Sequence, residues 1–371
     1  MKKIIYVLVF VSLITGKNVY ALDVSASNAC LIERITGQVL FEKNMNEKAA
    51  MASTTKIMTA ITALENSNTD SVVTVSRNAS VQEGSSAYLR DGDKILMEDL
   101  LYGLMLNSGN DAAVAVAEHV SGDTESFADL MNKKAYELEA KNTNFVNPNG
   151  LYDEKHYTTA YDLAKISAYA MQNPKFRDIV SSKTKAVTVQ NTGAKMYFSN
   201  HNKMLKLYDG ASGVKTGFTK KSGRCLVSSA ERDGIELIAV TLNAPDDWND
   251  HKNMLDFGFT KVNLKTILKK GDILDEKIAG ESIVKILCGE DVKVPYFGNN
   301  RDYTVVTHIA ENLYPPLNTG EKIGICDIVY DGRTIKQIDL ISDSEIYKKT
   351  SFFERIMDFF VSGKKGRRIN H

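Results

Sequence analysis

The strand signals of this chain lie on either side of a long helical block, and that order constrains the fold more than any other feature. From Ala29 to Phe41 the sequence alternates as a hairpin would: Cys-Leu-Ile-Glu-Arg-Ile, then the turn Thr36-Gly37, then Gln-Val-Leu-Phe. Helical periodicity takes over next. Ile57, Ala60, Ile61 and Leu64 fall at i, i+3, i+4 and i+7, Leu100, Leu101, Leu104 and Met105 repeat the pattern, and Ala112 to Val120 forms another apolar-rich stretch. Beyond about Val187 strand signals return, and Gly223–Ala230 leads through Asp233-Gly234 into Ile235–Leu242, a hairpin with an Asp-Gly turn. Strands, helices and strands again describe one α+β domain in which the N-terminal hairpin joins the late strands in a common sheet. From about Val262 the chain becomes Lys-rich with short β-like segments, including Lys322–Tyr330 and Thr334–Ile341 around Asp331-Gly332, which predicts a second, small all-β domain.

The two ends address a membrane. Met1-Lys2-Lys3, the apolar run Ile4–Ile14 and then Val19-Tyr20-Ala21 have the charged, apolar and small-residue regions of a secretory signal, with cleavage expected after Ala21. At the other end Phe352, Phe353, Ile356, Met357, Phe359, Phe360 and Val361 share one helical arc opposite Glu354, Arg355 and Asp358. Between Lys348 and His371 seven Lys/Arg stand against two acidic residues, the composition of a helix lying in an anionic membrane surface. The expected divisions are therefore a signal peptide at 1–21, a catalytic domain at 22–261, a β-rich domain at 262–343 and an amphipathic membrane-associating tail at 344–371. The 371 residues carry 46 Lys+Arg and 46 Asp+Glu, so no global field attracts nucleic acid, and none is expected as a partner. Cys30, Cys225, Cys288 and Cys326 form no Cys-x-x-Cys pair and read as buried thiols, and the six histidines contain no His-x-x-x-His pair. No metal or organic cofactor is expected.

Ser-x-x-Lys occurs five times, starting at Ser53, Ser182, Ser212, Ser282 and Ser362, so context decides. Only Ser53-Thr54-Thr55-Lys56 lies between a small-residue approach, Ala49-Ala50-Met51-Ala52, and a strongly periodic helix. There, residues i and i+3 share a face, which puts the Lys56 amine beside the Ser53 hydroxyl as base and nucleophile. A lysine with its usual pKa of about 10.4 is protonated at neutral pH. Burial, the positive helix end and a second lysine, for which Lys215 is the candidate, would each favour the neutral amine. The plainer alternative is an N-capping Ser53 with Lys56 on a solvated face. Ser108-Gly109-Asn110 falls between two helices: Asn110 caps the second, or Ser108 relays a proton to a leaving amine and Asn110 holds a substrate amide. Lys215-Thr216-Gly217 is the one Lys-Thr-Gly in the chain and opens a strand, where Lys215 and Thr216 can bind a carboxylate and Gly217 lets a substrate backbone approach. The backbone amides of Ser53 and Phe218 are candidates for an oxyanion hole.

Ser-x-x-Lys, Ser-x-Asn 55 residues later and Lys-Thr-Gly 107 residues after that form the set used by penicillin-recognising serine enzymes. The chain resembles the low-molecular-mass penicillin-binding proteins, serine-type D-alanyl-D-alanine carboxypeptidases of peptidase family S11, over nearly its whole length. Phe145-Val146-Asn147-Pro148-Asn149-Gly150-Leu151, His156–Asp162 and Gly213–Thr219 are similar to family segments, with Asn149 where relatives often carry His and Thr158 where they often carry Ser. The resemblance implies a β-lactamase/transpeptidase-like fold, an antiparallel sheet flanked by helices. It implies that Ser53 attacks the carbonyl between the two terminal D-alanines of a peptidoglycan stem peptide, that Lys56 accepts its proton, and that Lys215 and Thr216 hold the terminal carboxylate. β-Lactams would acylate Ser53 by mimicking that dipeptide, and the enzyme would work on the outer face of the cytoplasmic membrane. Two rivals remain: a class A β-lactamase, for which the Glu-x-x-Leu-Asn segment is missing between Ser108 and Lys215, and a non-catalytic wall-binding protein that keeps the fold.

Overall fold

A computed structural model describes residues 22–298 and 303–347. The signal segment 1–21 and all but the first four residues of the proposed tail lie outside them. The first hairpin, Asn28–Glu33 with Val39–Lys43, does join the late strands. The five-stranded antiparallel sheet runs, in order, Val39–Lys43, Asn28–Glu33, Ile235–Leu242, Gly223–Arg232 and Ala211–Thr219. Ile235–Leu242 is buried along its whole length, so both faces of the sheet are covered. Alternation of side chains splits the core accordingly. Cys30, Ile32, Val227, Ile238 and Val240 pack on the helical block, whereas Ala29, Leu31, Leu226, Leu237 and Ala239 pack on the Asp247–Phe259 helix through Met254 and Leu255.

The Lys56–Asn66 helix differs from its expected amphipathic form. Every residue from Lys56 to Ala63 is buried, because the Met97–Leu106, Asn110–Ser121 and Ala160–Ala170 helices surround its first two turns. Burying a polar group in a helix wrapped on all sides costs free energy unless neighbours satisfy it, and three neighbouring oxygens do so for Lys56. The two Asp-Gly hairpin turns have positive φ at both residues, Asp233 (51°) with Gly234 (80°) and Asp331 (50°) with Gly332 (76°), the backbone that two-residue hairpins demand.

The second domain is all-β, as expected. Its five-stranded sheet runs Ile273–Ala279, Ser282–Cys288, Arg333–Ser342, Lys322–Tyr330 and Thr304–Ile309, beside a two-stranded pair, Asn263–Leu268 with Val292–Tyr296. The packed chain continues past residue 343, since Ile346 pairs with Leu317 and packs against Ala279 and Val284. The domains touch where the Tyr330 hydroxyl donates to Gln38 and Arg333 pairs with Glu139. All four cysteines are buried and unbridged.

One buried ionic cluster ties the sheet to the helical block. The Glu236 carboxylate, 4% exposed, accepts from Arg34 and Arg177 at 2.6 Å each and from the Ser229 hydroxyl at 2.7 Å. Removing Glu236 leaves the largely buried Arg34 guanidinium without its counterpart, while Arg177 keeps Glu231 at 3.7 Å. Glu236→Ala should therefore lower the free energy of unfolding by about 3–5 kcal/mol, measured by urea denaturation of the full chain.

Candidate active site

Ser53 sits in a one-turn 3-10 helix, Ala52–Thr55, that feeds directly into the Lys56–Asn66 helix. Its backbone is held tightly from several sides. Ala52 has a φ of 47°, an unfavourable value for a residue with a Cβ, and the Thr54 and Thr55 hydroxyls clamp the turn by donating to the Met51 and Ala52 carbonyls. Two glycines press on it. A Cβ on Gly150 would fall 2.0 Å from the Ala52 oxygen, and one on Gly217 would fall 3.0 Å from the Ser53 nitrogen. Gly217 thus gives the strand access to the nucleophile's own backbone, a closer constraint than the approach of a substrate.

Ser53 does not cap the helix, and Lys56 is not on a solvated face: it is 0% exposed. Its Nζ lies 3.0 Å from Ser53 Oγ, 2.7 Å from Asn110 Oδ1 and 2.5 Å from the Asn149 carbonyl oxygen. Burial, followed by the charge on Lys215, drives its pKa well below the ordinary lysine value against a smaller opposing effect of Asp111. The partners then fix the direction of the third bond. A neutral amine has two N–H groups and one lone pair. The Asn149 carbonyl can only accept, and so can Asn110 Oδ1, whose Nδ2 is committed to the Glu83 carbonyl at 2.6 Å. When the amine is neutral both N–H groups are used by these carbonyl oxygens, so its lone pair faces Ser53, whose O–H donates to it.

The loop behind Lys56 comes from Phe145–Leu151. The Thr59 hydroxyl donates to the Pro148 carbonyl, Gly150 N donates to Asn147 Oδ1, and Asn149 Oδ1 accepts from Leu151 N, so Asn149 shapes the turn that aims its own carbonyl at Lys56. His156 was not singled out as a site residue, yet it braces both sides. Its Nδ1 accepts from Val146 N, which leaves Nε2–H to donate to the Thr55 hydroxyl at 2.8 Å; burial lowers its pKa to about 4 and keeps it neutral. A histidine far from Ser53 in sequence carries no local signal of this role.

A cleft of about 320 Å³ opens in front of Ser53, and Ser108, Thr216, Gly217 and Phe218 also line it. Ser108 holds a φ of 60° between the Met97–Leu106 and Asn110–Ser121 helices. Asn110 does not cap the helix; it is buried at its first position, where its amide joins Lys56 to the Glu83 carbonyl. Lys215 differs too. It lies in the middle of the edge strand Ala211–Thr219, is 2% exposed, and donates to the Thr216 carbonyl beneath the cleft instead of lining it. Two cations line the cleft, the exposed Lys203 and, on the neighbouring strand, the half-buried Arg224, which pairs at 2.8 Å with the buried Asp247 carboxylate and stacks 5.6 Å from the Trp248 ring. Only the sheet register, which sets Phe218 opposite Arg224, brings it here, and no motif in the sequence marks it.

The family model for D-alanyl-D-alanine carboxypeptidase, peptidase S11, matches residues 15–246. The chain belongs to this family. It is accordingly a serine-type D-alanyl-D-alanine carboxypeptidase with a mixed α+β, penicillin-binding-protein-like catalytic fold. A second model, the C-terminal domain of penicillin-binding protein 5, matches residues 263–348. Among curated relatives of this carboxypeptidase, DacF of Bacillus subtilis is 32% identical across 92% of both chains, and DacC of Escherichia coli is 30% identical across 93% of this chain and 90% of that one. The crystal structure of the Streptomyces K15 DD-transpeptidase superposes with a TM-score of 0.61 at 34% identity, covering 64% of this chain and 98% of that one. DacD from Francisella tularensis gives a TM-score of 0.60 at 26% identity over 88% of this chain and 95% of its own.

Burial of Lys215 has a measurable cost. Its pKa falls to about 7 from an ordinary lysine value of 10.5, with burial as the cause. Between those values the unfolded chain binds more protons than the folded one, so stability rises with pH in that window, by about 1.4 kcal/mol per unit per lysine, and gains nothing from this group below pH 7. Lys215→Met should flatten the rise in unfolding free energy between pH 7.5 and 9.5, read from urea titrations at each pH.

Proposed function

We propose that Ser53, Lys56, Ser108, Thr216, Phe218 and Arg224 remove the terminal D-alanine from peptidoglycan stem pentapeptides and so limit cross-linking. The observation that carries this reading is the buried amine of Lys56, 3.0 Å from Ser53 Oγ, with a pKa that burial drives well below the ordinary lysine value. As Ser53 Oγ bonds to the carbonyl carbon between the two D-alanines, its proton passes to Lys56 Nζ. The Ser53 and Phe218 amides hold the oxyanion. Collapse breaks the C–N bond, Ser108 hands the proton from Lys56 to the departing amine, and free D-alanine leaves. Water then attacks the ester, Lys56 takes one of its protons, and a tetrapeptide acid and the Ser53 hydroxyl are regenerated. The terminal carboxylate binds the Thr216 hydroxyl and the Arg224 guanidinium, with Lys215 supplying positive charge from below; Asn110 orients Lys56. Penicillins present the same carbonyl and carboxylate and acylate Ser53.

Incubating the purified protein with a synthetic stem pentapeptide should release D-alanine. Ser53→Ala should abolish both that release and covalent labelling by a fluorescent penicillin, by at least about 1,000-fold. Arg224→Ala should act mainly on KM, since a carboxylate contact outside the reacting bond is made in ground and transition states alike.

The remaining parts of the proposal concern location. An exported chain cleaved after Ala21, with a catalytic domain at 22–261, a β-rich domain running to Tyr347 and a basic amphipathic tail beyond, would work on the outer face of the cytoplasmic membrane. No helix among the described residues is long and apolar enough to cross a membrane, so attachment would rest on that tail. Deleting residues 348–371, which spares the packed Ile346, should shift the protein from the membrane to the soluble fraction; continued sedimentation with membranes would refute the anchor.

A further inference from the structure

A second and larger groove, about 780 Å³, lies next to the catalytic cleft and has no part in the bond-breaking step. One wall is the loop that carries Tyr88, Arg90 and Asp91; the other is the hairpin of Thr184–Thr188 with Lys195–Ser199, which carries Tyr197; Asn107 lies between them. The groove and the cleft share their partition. Asn107 lines the first and Ser108 the second, while Ala87 lines the first and Ser85 the second, so each junction is only one or two residues wide.

The groove is preformed. Asn107 Oδ1 accepts from Ser199 N, and Asn191 at the hairpin end joins the walls by accepting from Lys94 N and donating to the Gly92 carbonyl. Two tyrosine rings are displayed on it, Tyr88 at 79% and Tyr197 at 75% exposure. Tyr88 is held there against its own preference. Its φ is 62°, an outlier for an aromatic residue, and the loop is clamped on both sides of it. The buried Asp111 carboxylate accepts from Ala87 N, Leu89 N and the Ser86 hydroxyl, and that hydroxyl accepts from Tyr88 N. Strain maintained around a side chain that buries nothing calls for a ligand.

Exposed aromatic faces on a preformed backbone, beside polar side chains, suit a pyranose, whose axial C–H groups pack on a ring while its hydroxyl and acetamido groups take hydrogen bonds. The geometry points to this groove as a subsite for the N-acetylated amino-sugar backbone from which the stem peptide hangs. Tyr88 and Tyr197 stack on the sugar faces, and Arg90 and Asp91 bond its polar groups. Four extended residues, about 14 Å at ~3.5 Å each, separate the scissile bond from the sugar, a span suited to a neighbouring site and not to the cleft itself. The inference rests on the carboxypeptidase reading and adds a preference for sugar-bearing substrate over free peptide.

The test compares D-alanine release from a disaccharide pentapeptide and from the free pentapeptide. The wild-type protein should favour the sugar-bearing substrate about tenfold in kcat/KM, through KM. Tyr88→Ala and Tyr197→Ala should each bring that ratio to within about twofold of one while leaving free-pentapeptide kcat/KM within about twofold of wild type. Tyr197→Ala, on the unstrained wall, keeps the test valid where Tyr88→Ala fails to fold. Equal wild-type use of both substrates, or equal loss on both in the variants, overturns the inference. Calorimetry with N-acetylglucosamine tetramer and the Ser53→Ala protein reads the groove without catalysis. Binding that weakens at least tenfold on adding Tyr197→Ala supports it, and no binding, or binding indifferent to Tyr197, counts against it. Failure of the wild type to release D-alanine from free pentapeptide would fall on the carboxypeptidase reading, which the calorimetry does not depend on.

Discussion

The site depends on a lysine amine kept in a dry place with three partners. Water would stabilise the ammonium form, and a single extra acceptor would turn the lone pair away from Ser53. The need to exclude both explains much of the surrounding architecture. The Lys56–Asn66 helix is encased by other helices, the Phe145–Leu151 loop closes over its start with a glycine that almost touches Ala52, and Gly217 brings the edge strand down onto Ser53. Lys215 is buried as well, and its charge makes Lys56 still harder to protonate.

This arrangement separates the tasks that short motifs blur together. Lys215 and Asn110 are both buried, and their polar atoms bond the Thr216 carbonyl, Lys56 and Glu83. The groups lining the cleft include Ser53, Ser108, Lys203, Thr216 and Arg224. Arg224 is held from the side by a carboxylate and a ring, a rigid mount that lets a guanidinium keep one orientation at little entropic cost.

Much of this was legible in the sequence because its signals are local. Hairpin turns need glycine, buried helices need apolar periodicity, and Ser53 with Lys56 needs only the rise of one helical turn. The joining of the N-terminal hairpin to the late strands followed from the order of strands and helices. What could not be read were relations between distant segments. The register that brings Arg224 opposite Phe218, the contact of His156 with Thr55, and the orientation of the Asn110 amide are each decided by tertiary packing. The all-round burial of the Lys56–Asn66 helix was hidden for the same reason, since its Thr and Lys residues look solvent-facing until their partners arrive.

The sheet order has a temporal consequence. Its central strand, Ile235–Leu242, is bonded on one side to Asn28–Glu33 and on the other to Gly223–Arg232, so the first strand to emerge from a ribosome has no inner neighbour until the catalytic domain is almost fully synthesised. Closing so long a loop is slow, and a nascent chain spends that interval without its core. Ser53, made early, is therefore not set against Gly217 until the edge strand Ala211–Thr219 arrives, so the reactive serine is assembled late.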